Sequence, residues 1–179
     1  AYAGAEGSYL QLPSEGLLSE EFSATFWYKV NADPNRAGII VVGPEDEDNP
    51  DAQNNRTSGF RLFREGGADS QTIKLNVGNG TSDSWNDGGA IDATLGEWVH
   101  VAFTISNSVT VIYFDGEPVN TGTVSGGIDW TGTDIVSIMS GAPRFTEWGH
   151  LADQSYMDNL RFYNKALTED EIEAIIIAE

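Results

Sequence analysis

The sequence predicts an all-β sandwich of two antiparallel sheets, finished by one short C-terminal helix. Three observations carry this. Apolar and polar residues alternate with a period of two through most of the chain, which is the period of a half-buried strand. The alternating runs are short and bounded by Gly, Asn or Asp, and 20 glycines supply the many turns that need positive φ. From Thr168 onward the spacing changes to that of a helix. Short strands with one apolar face need a second sheet to cover them, which is the sandwich solution.

Each element follows from its residues. FSATFWYKV puts Phe22, Ala24, Phe26 and Tyr28 on one face and Ser23, Thr25, Trp27 and Lys29 on the other. GIIVVG follows from Gly38, then GFRLFRE, where Phe63 breaks strict alternation and leaves the phase of Arg61 and Arg64 open. TIKLNVG sets Ile73, Leu75 and Val77 against Lys74 and Asn76. WVHVAFTI and VTVIYFDG are joined through Ser106-Asn107-Ser108, a hairpin signal, and Asp115-Gly116 turns the chain into EPV. DIVSIMSG is a further strand, and a last one runs from about Met157 to Tyr163. Thr168 with Glu171 makes a capping box for the helix, whose Ile172, Ile175 and Ile176 form an apolar side expected to cover an edge or seam.

A length of 179 residues reads as one domain over positions 1–179, large enough to bury its own core. There is no cysteine, so disulfides and thiolate metal sites are excluded. No apolar run is long enough to span a membrane. The chain opens AYAG without an initiator methionine, which suggests a piece excised from a larger protein. The net charge of −19 repels nucleic acid and anionic lipid, so neither is an expected partner.

Three stretches are too long and polar for tight turns: Gly43 to Ser58, Gly78 to Glu97 and Ser140 to Ser155. Long loops in a compact domain are commonly functional, so binding is sought there. Trp85 and Trp148 sit in two of these stretches, in SDSWNDGG and RFTEWGH, and Trp130 sits in the Gly-rich GGIDWTG. Trp85 has Asp83, Asn86 and Asp87 beside it, and Trp148 has Arg144, Glu147 and His150 nearby. A ring with a polar fork suits a glycan or peptide pocket, although each Trp can equally anchor its loop to the core. Arg61 either meets a ligand hydroxyl or acidic sugar, or offsets the acidic surface. Trp27, Trp98 and His100 read as framework. The run Glu45-Asp46-Glu47-Asp48 with Asp51 lacks EF-hand spacing and reads as a solvated loop.

GSYLQLP (Gly7 to Pro13), FSATFWYKV, GEWVHVAFTI, VTVIYFDGEPV and MDNLRFYNKALTEDEI occur in a fixed order over nearly the whole chain. In that order the sequence resembles the laminin-G-like (LamG-type) domains of the concanavalin A-like lectin/glucanase superfamily. The resemblance implies a jelly-roll sandwich with a concave and a convex face, in a secreted or cell-surface protein. It implies carbohydrate binding in many members and protein-binding adhesion in others. It also implies a structural Ca²⁺, held by Asp158 with backbone carbonyls near Glu6 and Gly7. The expected function is a non-catalytic carbohydrate-binding module for a polysaccharide or oligosaccharide, working beside other domains of its parent. A protein-binding domain is the alternative, and a glycan-cleaving domain a weaker one. No residues are expected to be catalytic. Sandwich glycosidases similar to this fold place Glu-x-Asp-x-x-Glu on one strand, and no such strand occurs here; nucleophile-elbow, HExxH and phosphate-loop motifs are absent.

Overall fold

The computed structural model describes residues 1–17 and 19–179. Thirteen strands run in chain order: β1 (Tyr2–Ala3), β2 (Leu10–Pro13), β3 (Phe22–Lys29), β4 (Arg36–Val42), β5 (Phe60–Gly67), β6 (Ser70–Gly78), β7 (Asp83–Asn86), β8 (Ala90–Ile91), β9 (Val99–Ile105), β10 (Val109–Phe114), β11 (Glu117–Thr123), β12 (Ile135–Ile138) and β13 (Tyr156–Tyr163). A short 3₁₀ turn spans Ala93–Leu95, and helix α1 spans Glu169–Ala178. One sheet has the order β1-β13-β3-β9-β10-β11; the other is β2-β12-β4-β5-β6-β7, with β8 beside β6. Every pairing is antiparallel.

The alternation read from sequence is the one the sheets use. Phe22, Ala24 and Phe26 lie opposite Ile105, Phe103 and Val101, all buried and facing inward. From the other sheet, Phe60, Leu62, Ile73, Leu75 and Val77 meet them. Aromatic contacts bridge the layers: Phe60 lies 5.1 Å from Phe22 and 5.2 Å from Phe103, centroid to centroid. Burial of this apolar set is the main source of stability.

The helix forms as expected but covers a different surface. Thr168 Oγ1 accepts from the Glu171 N–H at 3.3 Å, and the Thr168 N–H donates back to Glu171 Oε2 at 3.0 Å. Its apolar side then packs on the outer face of the first sheet, not on an edge, because Ala102 and Tyr113 offer an apolar patch there to Leu167 and Ile172. The lead-in is fixed by Ser23, whose hydroxyl donates to Lys165 O at 2.8 Å and accepts from the Leu167 N–H at 2.9 Å.

The three long loops are ordered. The stretch 78–97 contains β7, β8 and the 3₁₀ turn. The stretches 43–58 and 140–155 are tied together by Gln53. Its side chain accepts from the Asp46 N–H at 2.7 Å, and its carbonyl accepts from the Thr146 N–H at 2.8 Å.

Candidate functional site

The phase of β5 decides the site. Phe60, Leu62 and Arg64 point inward, while Arg61, Phe63 and Glu65 point to the outer face of the second sheet. On that face β6 adds Lys74 and Asn76, and β7 adds Trp85, paired with Asn76. The segment after β12 folds back over the same face. It is closed at its base by a bridge between Ser140 and Ala152 and by the Gly141 N–H donating to His150 O at 2.8 Å. This drops Phe145 and His150 onto Phe63, at centroid distances of 5.2 and 4.6 Å. His150 stacks on Phe145 at 4.7 Å, nearly parallel at 14°.

Only glycine permits the fold-back. A Cβ at Gly38 on β4 would lie 2.0 Å from Gly141 N, and one at Gly141 would lie 2.0 Å from His150 O. Backbone cannot yield at such distances without moving the loop. Gly141→Ala is therefore expected to cost about 1–3 kcal/mol and to displace His150 from Phe63. Urea unfolding with near-ultraviolet dichroism checks both; a variant as stable as wild type with an unchanged aromatic spectrum would contradict the packing.

The result is a groove of about 420 Å³ with a floor of Phe63, Phe145 and His150. Trp85 and Trp148 border it, 42% and 55% exposed, unusually open for indoles. Trp85 stands edge-on to Phe63 at 6.0 Å, and the Arg56 guanidinium lies over its ring at 5.4 Å. Trp148 is placed by Arg36, whose Nη1 donates to its carbonyl at 2.9 Å. Lys74 Nζ reaches Glu65 Oε1 at 2.9 Å and Asp87 Oδ1 at 3.4 Å. Burial alone would raise the Glu65 carboxyl, but the bond and charge of Lys74, with a smaller contribution from His150, together outweigh it and hold Glu65 below its ordinary range. Two other depressions, of about 600 Å³ beside Glu6, Tyr9 and Leu151 and about 320 Å³ beside Lys29 and Tyr156, contain no indole.

His150 is 3% exposed, and neither ring nitrogen has an aligned hydrogen-bond partner among the described residues. Its Nε2 lies 3.4 Å from Glu65 Oε2, a contact without the geometry of a formed bond. Burial pushes its pKa from an ordinary 6.5 down to about 4, with Glu65 opposing and Arg36 reinforcing. The unfolded chain therefore binds a proton between these values that the folded chain does not, and stability must fall as pH drops through that window. His150→Gln should flatten the dependence between about pH 6.5 and 4; urea midpoints falling as steeply in the variant would refute it.

The sequence-derived candidates separate. Trp85, Trp148 and His150 converge on the groove. Asp83 flanks it, accepting from Asn76 Nδ2 at 2.8 Å and pairing with Arg56 at 3.4 Å. Asn86 is buried on the opposite side of β7, its amide donating to Thr110 O at 3.2 Å, since successive strand residues face opposite ways. Trp130 lies away from the groove: its partly buried ring packs 5.9 Å from Phe22 and 6.2 Å from Phe60, and its N–H donates to Ser19 O at 2.8 Å. Arg144 is held by both oxygens of Asp134, at 2.9 and 3.0 Å. Arg61 is wholly buried; it donates to Ser58 O at 2.8 Å and to Asn55 O, and burial lowers its pKa to about 9. Phe63, Phe145, Arg36, Glu65 and Lys74 complete the groove without any motif that marked them.

The expected calcium ligands do not come together. In β1, Tyr2 and Ala3 lie opposite Met157 and Tyr156, antiparallel. Asp158 lies 3.4 Å from the Ala1 ammonium, whereas Glu6 and Gly7 border the depression beside Tyr9. Among the described residues no group of three His, Asp or Glu side chains is placed to hold a metal.

Comparison with known proteins gives the same architecture. The Laminin_G_3 model, described as the concanavalin A-like lectin/glucanases superfamily, matches residues 4–173. No curated protein matches in sequence. Among solved structures, a native heptameric SAP-like pentraxin from Limulus polyphemus aligns with a TM-score of 0.66 and 16% identity over 98% of this chain and 79% of its own. The CBM40 of a Ruminococcus gnavus IT-sialidase, bound to α2,3 sialyllactose, aligns at 0.64 and 16%, over 97% and 96%. The binding domain of botulinum neurotoxin DC, in complex with SialylT, aligns at 0.63 and 14% over 98% of this chain. The chain spans 41% of the length of that binding domain, and the same share of the HCR/D W1238A mutant. At these identities the likeness is one of fold.

Proposed function

The chain belongs to the Laminin_G_3 family of the concanavalin A-like lectin/glucanase superfamily, and on that premise we propose that it is a non-catalytic carbohydrate-binding module whose saccharide lies between Trp85 and Trp148. The observation that supports this most is the pairing of two open indoles with fixed charged groups in one groove. Sugar C–H faces stack on indole rings, while hydroxyls exchange hydrogen bonds with Lys74, Glu65 and Arg36. The sialyllactose seen in the similarly folded Ruminococcus module lends the reading weight.

The groove suits binding better than cleavage. A glycosidase needs one carboxylic acid kept protonated by a raised pKa. Glu65 is shifted the other way, and its partner Lys74 also holds Asp87. Both carboxylates thus serve as fixed acceptors. We place the module outside the cell or on its surface, where polysaccharide is met.

Affinity electrophoresis and a glycan array, each run with Ca²⁺ and with EDTA, test the proposal and any calcium requirement separately. Retardation by at least one polysaccharide is expected. A folded domain that no glycan retards would shift the groove to a protein ligand, and release of reducing ends would establish cleavage.

A further inference from the structure

The protein carries a net charge of −19 and nine basic residues, yet Arg36, Arg56 and Lys74 line this one groove. They face two lining carboxylates, Glu65 and Asp87. Both of those are taken by Lys74, and Arg56 is taken by Asp83 and the Trp85 ring. Arg36 is different. Among the described residues its guanidinium makes one hydrogen bond, to the Trp148 carbonyl, and no carboxylate stands within ion-pair distance of it. A half-buried guanidinium beside an open indole, in a molecule so acidic, has every opportunity to find an aspartate or glutamate and has none. Beside it lies the buried ring of His150, whose nitrogens have no aligned hydrogen-bond partner among the described residues.

We propose that the saccharide bound here carries a carboxylate, as a uronate or a sialic acid does, and that Arg36 selects for it. This rests on the carbohydrate reading above and narrows it. The guanidinium presents two parallel N–H groups to a carboxylate, a planar fork that a hydroxyl cannot match. With Nη1 already given to Trp148, the remaining N–H groups are free for the ligand. A sugar ring stacked on Trp148 then brings a ring carboxylate to Arg36. Three cations against two carboxylates leave the lining slightly positive, so an anionic sugar can approach here a surface that otherwise repels it.

Calorimetric titration at low salt tests this with two matched pairs: trigalacturonate against its carboxyl-reduced counterpart, and 3′-sialyllactose against lactose. In at least one pair the acid should bind on the order of tenfold more tightly, and the preference should shrink as salt is raised. The pair that shows it identifies a uronate or a sialic acid as the source of the carboxylate. Arg36→Gln should bring the acid-to-neutral ratio to near one, whereas Arg36→Lys, which keeps the charge and a donor to Trp148, should retain part of it. Equal affinities within both pairs, or a ratio untouched in Arg36→Gln, would overturn the inference while leaving carbohydrate binding in place. Failure of every saccharide, neutral ones included, would overturn both.

Discussion

Asp153→Ala is expected to lower folding stability by about 3–5 kcal/mol. Asp153 and Arg64 are both completely buried, and they meet at 2.8 Å where the loop carrying Trp148 and His150 rejoins the sandwich. The pair is fully furnished. Arg64 Nε also donates to Asp153 Oδ1 at 3.2 Å, and its Nη1 donates to Pro34 O at 2.8 Å and Gln71 Oε1 at 2.5 Å. Asp153 Oδ2 accepts from the Tyr28 hydroxyl, and Oδ1 accepts from the Ser155 N–H at 3.0 Å. Burial and the adjacent carboxylate raise the Tyr28 pKa far above its ordinary value, so that hydroxyl stays a donor. Removing the carboxylate leaves a buried guanidinium, a hydroxyl and an N–H without their acceptor, and uncompensated buried charge dominates the cost. The double change Asp153→Leu with Arg64→Met should recover much of the loss, because deleting both charges removes the desolvation penalty along with the attraction. Urea unfolding of the two variants decides it. An Asp153→Ala protein within about 1 kcal/mol of wild type would show the pair to be expendable.

This buried pair also shows where sequence reading stops. Arg64 and Asp153 are 89 positions apart, and nothing local marks them as partners. The inward set Phe22, Ala24, Phe26 and Tyr28 was legible because one face of β3 is richly apolar and the period of two survives. FRLF was not, because both faces of β5 are covered: Phe60 and Leu62 by the core, Phe63 by the folded-back loop through Phe145. With both sides apolar the alternation vanishes, and with it the inward phase of Arg64 and the depth of Arg61. β7 was hidden in SDSWNDGG, which lacks apolar alternation, so Trp85 and Asn86 read as neighbours in one pocket when the strand turns them to opposite faces. For Trp130, in a Gly-rich segment, sequence left an exposed ring and a core anchor equally open; Val124 and Ile128 bury the same segment against the end of the core, and the ring packs there with them. Arg36 and Lys74 have no sequence motif at all. Their roles arise from strand pairing, which sets Lys74 opposite Phe63 and Arg36 opposite Glu65.

Trp148→Ala is expected to weaken saccharide binding by about 2 kcal/mol, roughly thirtyfold in Kd. The ring is 55% exposed, and its backbone is fixed twice, by Arg36 at its own carbonyl and by the Gly149 N–H donating to Thr146 O at 2.9 Å. A backbone held this way lowers the ordering cost of presenting the ring's face on binding. Trp85→Ala should have a smaller effect, because Arg56 already covers part of that ring and the edge rests on Phe63. Trp130→Ala gives the contrasting case: its partly buried ring packs against the end of the core, so the loss should fall on stability, with affinity preserved in whatever fraction folds. The three variants therefore sort by surface rather than by residue type. Titration of Trp fluorescence with the best ligand from the array, beside urea unfolding of each variant, separates the two effects. If Trp148→Ala binds within twofold of wild type while remaining folded, the groove on the outer face of the second sheet is not the saccharide site, and the remaining open aromatic pair, Trp98 and Tyr156 on the opposite sheet with centroids 6.5 Å apart, becomes the surface to test.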